Sequence, residues 1–256
     1  MFPLDQVLKC AVPAPHPEAF ERFLFVGPHP DDIEIGAGAA AAKLAAAGKA
    51  VCFVIVTDGR YGVENLAEPI APDELAARRR REAVDSAAVL GVKDVRFLDL
   101  SDGGFYENRE LLEKLAAVTA DFQPQVIFAP DPAPANETHP DHLRVGRAAA
   151  QIACFAYNGG IMERYGAAAA PVEAVAFYMT ARPNRFVGTF GYTGLQKKAL
   201  AAHRTQFPEG SDAWKDIQTY LKLRAGFCGL RSGRRQAEGF RVLGKTQGHV
   251  LAEFGE

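Results

Sequence analysis

Apolar residues in this chain come in short runs separated by longer amphipathic or alanine-rich stretches. Phe23-Leu24-Phe25-Val26, ending at Gly27, has the length and content of a buried strand, and residues 51–56, 95–98 and 126–129 repeat the pattern. Helix signals lie between them. Residues 38–47 are alanine-rich and closed by Gly48, and Pro72-Asp73-Glu74 opens a helix predicted to reach Leu90 and stop at Gly91. A third helix is predicted over 110–119. This alternation predicts an α/β fold with a mainly parallel sheet and helices on both faces, where ligands gather at the carboxyl ends of the strands. Further on, the pattern predicts a helix from Pro140 to about Tyr157, a strand over 175–179 and a helix over 195–204. From Cys228 onward it shows only short elements and many glycines.

Composition narrows the function classes. The 256 residues are 48% hydrophobic and 23% charged with a formal net charge of −2, which fits a globular protein and argues against nucleic acid or an anionic membrane as partner. The four cysteines are scattered, so neither a disulfide framework nor a thiolate zinc site is expected. No basic leader followed by an apolar stretch opens the sequence and no run reaches membrane-span length, so the expectation is a cytoplasmic protein.

The candidate chemistry sits in two segments that each follow a strand: His29-Pro30-Asp31-Asp32 and His139-Pro140-Asp141-His142. Together they hold three of the six histidines. Catalytic zinc commonly takes three protein ligands of the His and Asp/Glu kind and keeps one position open. His29 and Asp32 are three apart, as are His139 and His142, so each pair can face one way on a tight turn. Adjacent Asp31 and Asp32 cannot easily both reach one ion, so one as ligand and the other as base is the economical assignment. Ordinary strand-to-helix turns also use Asp and Pro. Two such segments at equivalent topological positions favour the metal reading.

These segments resemble the two signatures of the PIG-L/LmbE-like N-acetylglucosaminyl deacetylases. Weaker matches follow in order: Thr57-Asp58-Gly59, Arg79 and Glu82 ahead of Leu90-Gly91-Val92, Asp102-Gly103, His203 with Gln206, and Glu238 with Phe240. The chain departs from the pattern at Glu137, where Asp is frequent, and at Thr205, where Ser is usual. The resemblance covers about residues 22–242 and implies one domain over 1–256 on a Rossmann-like sheet with a less regular C-terminal part. It implies a zinc-dependent N-deacetylase acting on an N-acetylglucosamine-containing small molecule and giving acetate and a free amine. Zn2+ would be held by His29, Asp32 and His142, with Asp31 as general base and His139 as the protonated partner of the oxyanion or leaving amine. Asp141 would orient one of the histidines, and Arg79 and Asp102 would bind the sugar and its substituent. Loops 60–70 and 186–193 are expected to read what the sugar is attached to. Relatives are often oligomers, so a homo-oligomer is also expected.

Two other readings compete. Gly36-Ala37-Gly38-Ala39-Ala40-Ala41, with Asp58 twenty residues after Gly38, fits a dinucleotide-binding pattern and would make the protein a nucleotide-binding oxidoreductase. In that motif the first glycine comes directly off the strand, whereas residues 28–35 intervene here. The other is a non-catalytic relative that keeps the metal for binding alone. Of Arg78, Arg79, Arg80 and Arg81, successive helical residues point in different directions, so only Arg79 is expected in the site. Arg231, Arg234 and Arg235 read as a basic surface loop.

Overall fold

Strand β1 (Arg22–Gly27) alternates its side chains between two cores: Phe23 and Phe25 face one side of the sheet, Leu24 and Val26 the other. The computed structural model describes Val7 and residues 10–249. Around β1 the chain places α1 (Asp32–Ala46), β2 (Ala50–Thr57), α2 (Pro72–Val89), β3 (Asp94–Leu100), α3 (Asn108–Phe122), β4 (Val126–Pro130) and α4 (Pro140–Phe155). There follow α5 (Gly159–Glu163), β5 (Ala174–Tyr178), β6 (Arg185–Gly188), α6 (Thr193–Leu200), α7 (Asp212–Arg231), β7 (Ala237–Gly244) and α8 (Lys245–His249).

The result is a single α/β domain on a seven-stranded sheet of order β3-β2-β1-β4-β5-β7-β6. Strands β1 to β5 pair in parallel, and β7 runs antiparallel between β5 and β6. Helices cover both faces: α3 and α4 pack on the Leu24/Val26 side, and α1 and α2 on the Phe23/Phe25 side. Strand order reverses between β1 and β4, so their carboxyl ends diverge into a crevice. Both histidine segments leave the sheet there. Among the described residues no helix is long and apolar enough to cross a membrane. Cys52 is buried and unpaired, as expected of a small core side chain.

Three expectations change. Helix α1 begins at Asp32, six residues before Gly38, because the Asp31 turn already starts it. A break at Ala37 (φ −150°) separates its first turn from the alanine-rich part, and the freed N–H groups of Ala39 and Ala40 donate to the Glu238 carboxylate at 3.4 and 2.8 Å. The C-terminal part is regular: it holds the 20-residue α7 and the eight-residue β7. Arg241 of β7 donates to both oxygens of Asp131, just past β4, at 2.9 and 2.5 Å. The 186–193 segment forms part of the edge strand β6 and the turn after it, three places from β4 in the sheet. Arg235 stacks on Phe190 there, and Arg231 on Phe186, so neither that segment nor the basic loop lines the histidine crevice.

Candidate metal centre

The turn after β1 is pinned from several sides. Thr57 at the end of β2 donates to the Pro28 carbonyl through both its N–H and its hydroxyl, each at 2.9 Å. Asp32 turns back to accept from the His29 N–H at 2.8 Å. Between them Asp31 is held at φ 129°, a conformation costly for a side-chain-bearing residue that persists only where its surroundings fix it. Those surroundings are Arg79, which is buried and donates to the carbonyls of Gly59 (3.0 Å) and Pro30 (2.9 Å) and to Asp31 Oδ2 (3.2 Å). A Cβ at Gly59 or Gly62 would lie 2.5 or 2.4 Å from the guanidinium, which explains the glycine after Thr57-Asp58.

The second segment opens α4. His139 is its N-cap, and its Nδ1 accepts from the Asp141 N–H at 3.2 Å. A backbone N–H can only donate, so Nδ1 is unprotonated and the ring is neutral with its proton on Nε2. This differs from the protonated ring expected. Burial pushes His139 down, and the positive charges of His29 and His142 push it further.

The two segments meet around His29. Its Nδ1 lies 3.0 Å from Asp32 Oδ2, and its Nε2 lies 3.1 Å from Asp102 Oδ1 and 3.2 Å from Asp141 Oδ2. His142 Nε2 lies 3.4 Å from the same Asp32 oxygen. Donor atoms of His29, Asp32 and His142 thus fall within 4.8 Å of one another, and so do those of a second set, His29, Asp102, His139 and Asp141. Two imidazoles and a carboxylate are the donor chemistry of a zinc site with a position to spare. Charge pairing dominates the electrostatics. Burial lowers His29 and His142, yet the carboxylates around them outweigh it, raising His29 well above its ordinary value and His142 to about 9. Burial raises Asp32, but His142 and His29 hold it well below the usual carboxylate range. Asp31 differs: burial lifts it to about 6, with Arg79 pulling back and Asp32 pushing the same way as burial.

Each expected residue lies at this crevice. Asp141 is fully buried, accepts from the Gly103 N–H at 2.9 Å and lies 3.2 Å from His29 Nε2. Asp102 is held down to about 2: burial opposes this, but His29 and the Tyr61 N–H (3.3 Å) outweigh it. Asp31, Arg79, Asp102, His29 and His139 line a cavity of ≈ 350 Å³. Sequence reasoning missed Glu137 as a partner of the histidines. Its Oε2 lies 2.9 Å from His142 Nδ1 and its Oε1 accepts from the His139 N–H. His203 is sealed behind the site, 3.4 Å from Glu34, and Ser86 also donates to Glu34 at 2.6 Å. Thr205 donates twice to Glu82, and Gln206 donates to the Gly62 carbonyl and lines the cavity.

The glycine motif has another cause. A Cβ at Gly36 would lie 2.1 Å from the Tyr178 ring, and one at Gly38 3.1 Å from Gln196. Both glycines let buried α1 approach its neighbours and neither lies on a phosphate-facing loop. Arg79 alone of its four arginines is buried; Arg80, for example, pairs with Asp99 and stacks on Phe97.

Comparison with known proteins agrees with this arrangement. The family described as PIG-L, GlcNAc-PI de-N-acetylase, matches residues 24–153. Diacetylchitobiose deacetylase of Thermococcus kodakarensis is 34% identical over 227 residues, 87% of this chain and 83% of its own. A 1D-myo-inositol 2-acetamido-2-deoxy-alpha-D-glucopyranoside deacetylase of Kineococcus radiotolerans is 31% identical over 194 residues, 64% of this chain and 53% of its own. The solved N,N'-diacetylchitobiose deacetylase of Pyrococcus horikoshii superposes with a TM-score of 0.86 at 31% identity, covering 98% of this chain and 97% of that one.

Proposed function

As the chain belongs to the PIG-L (GlcNAc-PI de-N-acetylase) family, we propose that it hydrolyses the acetamide of an N-acetylglucosamine-containing small molecule to acetate and a free amine. One observation carries this reading. The donor atoms of His29, Asp32 and His142 converge within 4.8 Å beside Asp31, a carboxylate whose one hydrogen-bond partner among the described residues is Arg79. His29, Asp32 and His142 would hold Zn2+, which when bound polarises a carbonyl and lowers the pKa of water.

The chain's own residues supply the rest. Asp31, raised toward neutrality by burial, is matched to accept the proton of an attacking water, and Arg79 keeps its carboxylate aimed. His139 offers its Nε2–H to the oxygen that gains negative charge as the carbonyl is attacked. The proton gathered by Asp31 is then available to the amine, a poor leaving group until it is protonated. Glu137 and Asp141 fix the two inner histidines by their other nitrogens. The names of the relatives share the 2-acetamido-2-deoxyglucose unit and differ in what it is joined to. That unit is the part this site is proposed to take, with Asp102 as acceptor for its hydroxyls.

The test is acetate release by the zinc-loaded protein from N-acetylglucosamine conjugates and from N-acetyl amino acids. The sugars should be turned over much faster, and a chelator should abolish the activity. A preference for acetylated amino acids would overturn the sugar assignment, and turnover that survives metal removal would overturn the metal assignment.

A further inference from the structure

Helix α7 carries apolar side chains on two opposite faces. The inner face holds it to the domain: Leu221, Ala225 and Cys228 are buried, and Arg224 donates to the Gly36 carbonyl (2.9 Å) and to Glu238 (3.4 Å). The outer face is bare, with Tyr220 43% exposed, Leu223 66%, Phe227 61% and Leu230 81%. Exposed apolar residues are common singly and need no account. These four follow one another at steps of three, four and three residues, which sets them in one row along the helix. A helix that is apolar on both faces belongs in an interior, and among the described residues nothing covers the outer row.

Gly226 lies beside that row, one turn from Leu223 and Leu230 and next to Phe227. Glycine is the poorest helix former after proline. The backbone here is ordinary helix, and a Cβ at Gly226 would meet no atom within 4 Å. Nothing inside the domain calls for glycine at this point. A body packed against the outside does, because the missing side chain leaves a recess between three apolar ones. Charge also runs along the row. Asp212 and Asp216 lie in line with it near the start of α7, and Arg231, Arg234 and Arg235 follow its end, all of them exposed.

We propose that the outer row of α7 is where two copies of this chain pack, antiparallel about a two-fold axis at the level of Ala225. A two-fold contact uses one surface twice, so that surface must complement itself. In this arrangement Tyr220 lies opposite Leu230 of the second copy and Leu223 opposite Phe227 of the second copy, as facing layers of two helices with a shared repeat of about 3.5 residues. The recess at Gly226 in each copy takes the Phe227 ring of the other. The acidic start of each helix meets the basic end of its mate, whereas a parallel pairing would set like charges together. An anionic membrane also suits an apolar row beside arginines, but it accounts for neither Gly226 nor the two aspartates in line with the row.

The experiment is sedimentation equilibrium on the full chain and its variants. Wild type should contain an even number of chains. Phe227→Glu, at an exposed position, should keep the wild-type circular dichroism spectrum while the mass falls by half or more. Gly226→Leu adds apolar surface and helix propensity, yet it fills the recess and should weaken association about tenfold or more. Orientation is read from cross-linking: on mild oxidation Leu223→Cys should form linked pairs above the background that exposed Cys10 gives the wild type, and Asp216→Cys should not. A monomeric or odd-numbered wild type, an unchanged mass in Phe227→Glu, or equal or tighter association in Gly226→Leu overturns the proposal. Linked pairs in Asp216→Cys as abundant as in Leu223→Cys overturn the antiparallel arrangement. Wild-type binding to phosphatidylserine vesicles that Phe227→Glu abolishes assigns the row to lipid and overturns it as a contact between copies.

Discussion

Two buried carboxylates, Asp31 and Glu238, show what separates a reactive group from a structural one. Both are almost sealed from solvent, and burial raises the pKa of both. Glu238 accepts from Ala39, Ala40, Gln196 (2.9 Å) and Arg224 (3.4 Å), so its oxygens are spent on closing the gap at the Ala37 break. Among the described residues the Asp31 carboxylate accepts from Arg79 alone, on a strained backbone, and faces a cavity. Burial and a shifted pKa are common to the two. Unspent acceptor capacity aimed at open space belongs only to Asp31.

If that distinction is right, the two residues fail differently. Asp31→Asn should lower turnover by roughly two to four powers of ten, with thermal stability little changed. Acetate release and a melting curve on one preparation check it, and a rate within tenfold of wild type would break the comparison at its first term. The proposed metal ligands bound the other side. His29→Ala or His142→Ala should weaken zinc by more than about a hundredfold, and Glu137→Gln by roughly ten- to a hundredfold, since removing an outer partner costs less than removing a ligand. His139→Ala should keep its zinc while losing turnover, and metal analysis after dialysis separates these classes.

Glu238→Ala reverses the pattern. It strands the Arg224 guanidinium and two helix amides, so denaturant unfolding should show a loss of about 3 kcal/mol, while turnover per folded molecule stays within a few-fold. The smallest effect sharpens the comparison by pH. Glu238 binds its proton more tightly folded than unfolded, so its contribution is full below the unfolded value, about 4.3, and is lost as pH rises through the folded one. Wild type should therefore lose stability relative to Glu238→Gln between pH 4 and 7. Asp131 is the control of opposite sign, because Arg241 outweighs burial and holds it low. Its contribution is present above its unfolded pKa, about 3.9, and is lost as pH falls from there through the folded one, so wild type should lose stability relative to Asp131→Asn on acidification below about pH 4. Parallel slopes for the two variants would contradict both assignments.

The half of the chain that carries this chemistry was legible from the sequence. Strands β1 to β4 lie within two residues of their predicted bounds, and both histidine turns sit at strand ends, because buried parallel strands are short apolar runs between turn signals. In the later half α4, β5 and α6 were also foreseen, whereas α7 and β7 were hidden for definite reasons. In α7, Tyr220, Leu223, Phe227 and Leu230 are exposed while Leu221, Ala225 and Cys228 are buried, so apolar residues surround the helix and no single stripe stands out. Strand β7, Ala-Glu-Gly-Phe-Arg-Val-Leu-Gly, reads as a loop until one sees that Glu238 and Arg241 pair with groups far away in sequence. Partnerships such as Glu137 with His142, or Arg79 with Asp31, depend on which atoms the fold brings within reach. Residue type and spacing supply the candidates, and only the turn geometry chooses among them.

The insertion of β7 between β5 and β6 also bears on how the protein is made. Ala174 pairs with Gly244, seventy residues later, so on the ribosome β5 waits for most of the remaining chain. Until then one edge of Ala-Val-Ala-Phe-Tyr is bare, a short apolar strand without charge or proline, which is the composition that seeds pairing between chains. Every histidine and carboxylate of the crevice has been synthesised by residue 142, well before that edge is covered. A nascent chain can thus hold a nearly complete site while its sheet is still open to other chains. Premature termination anywhere between β5 and β7 would leave a product prone to aggregate.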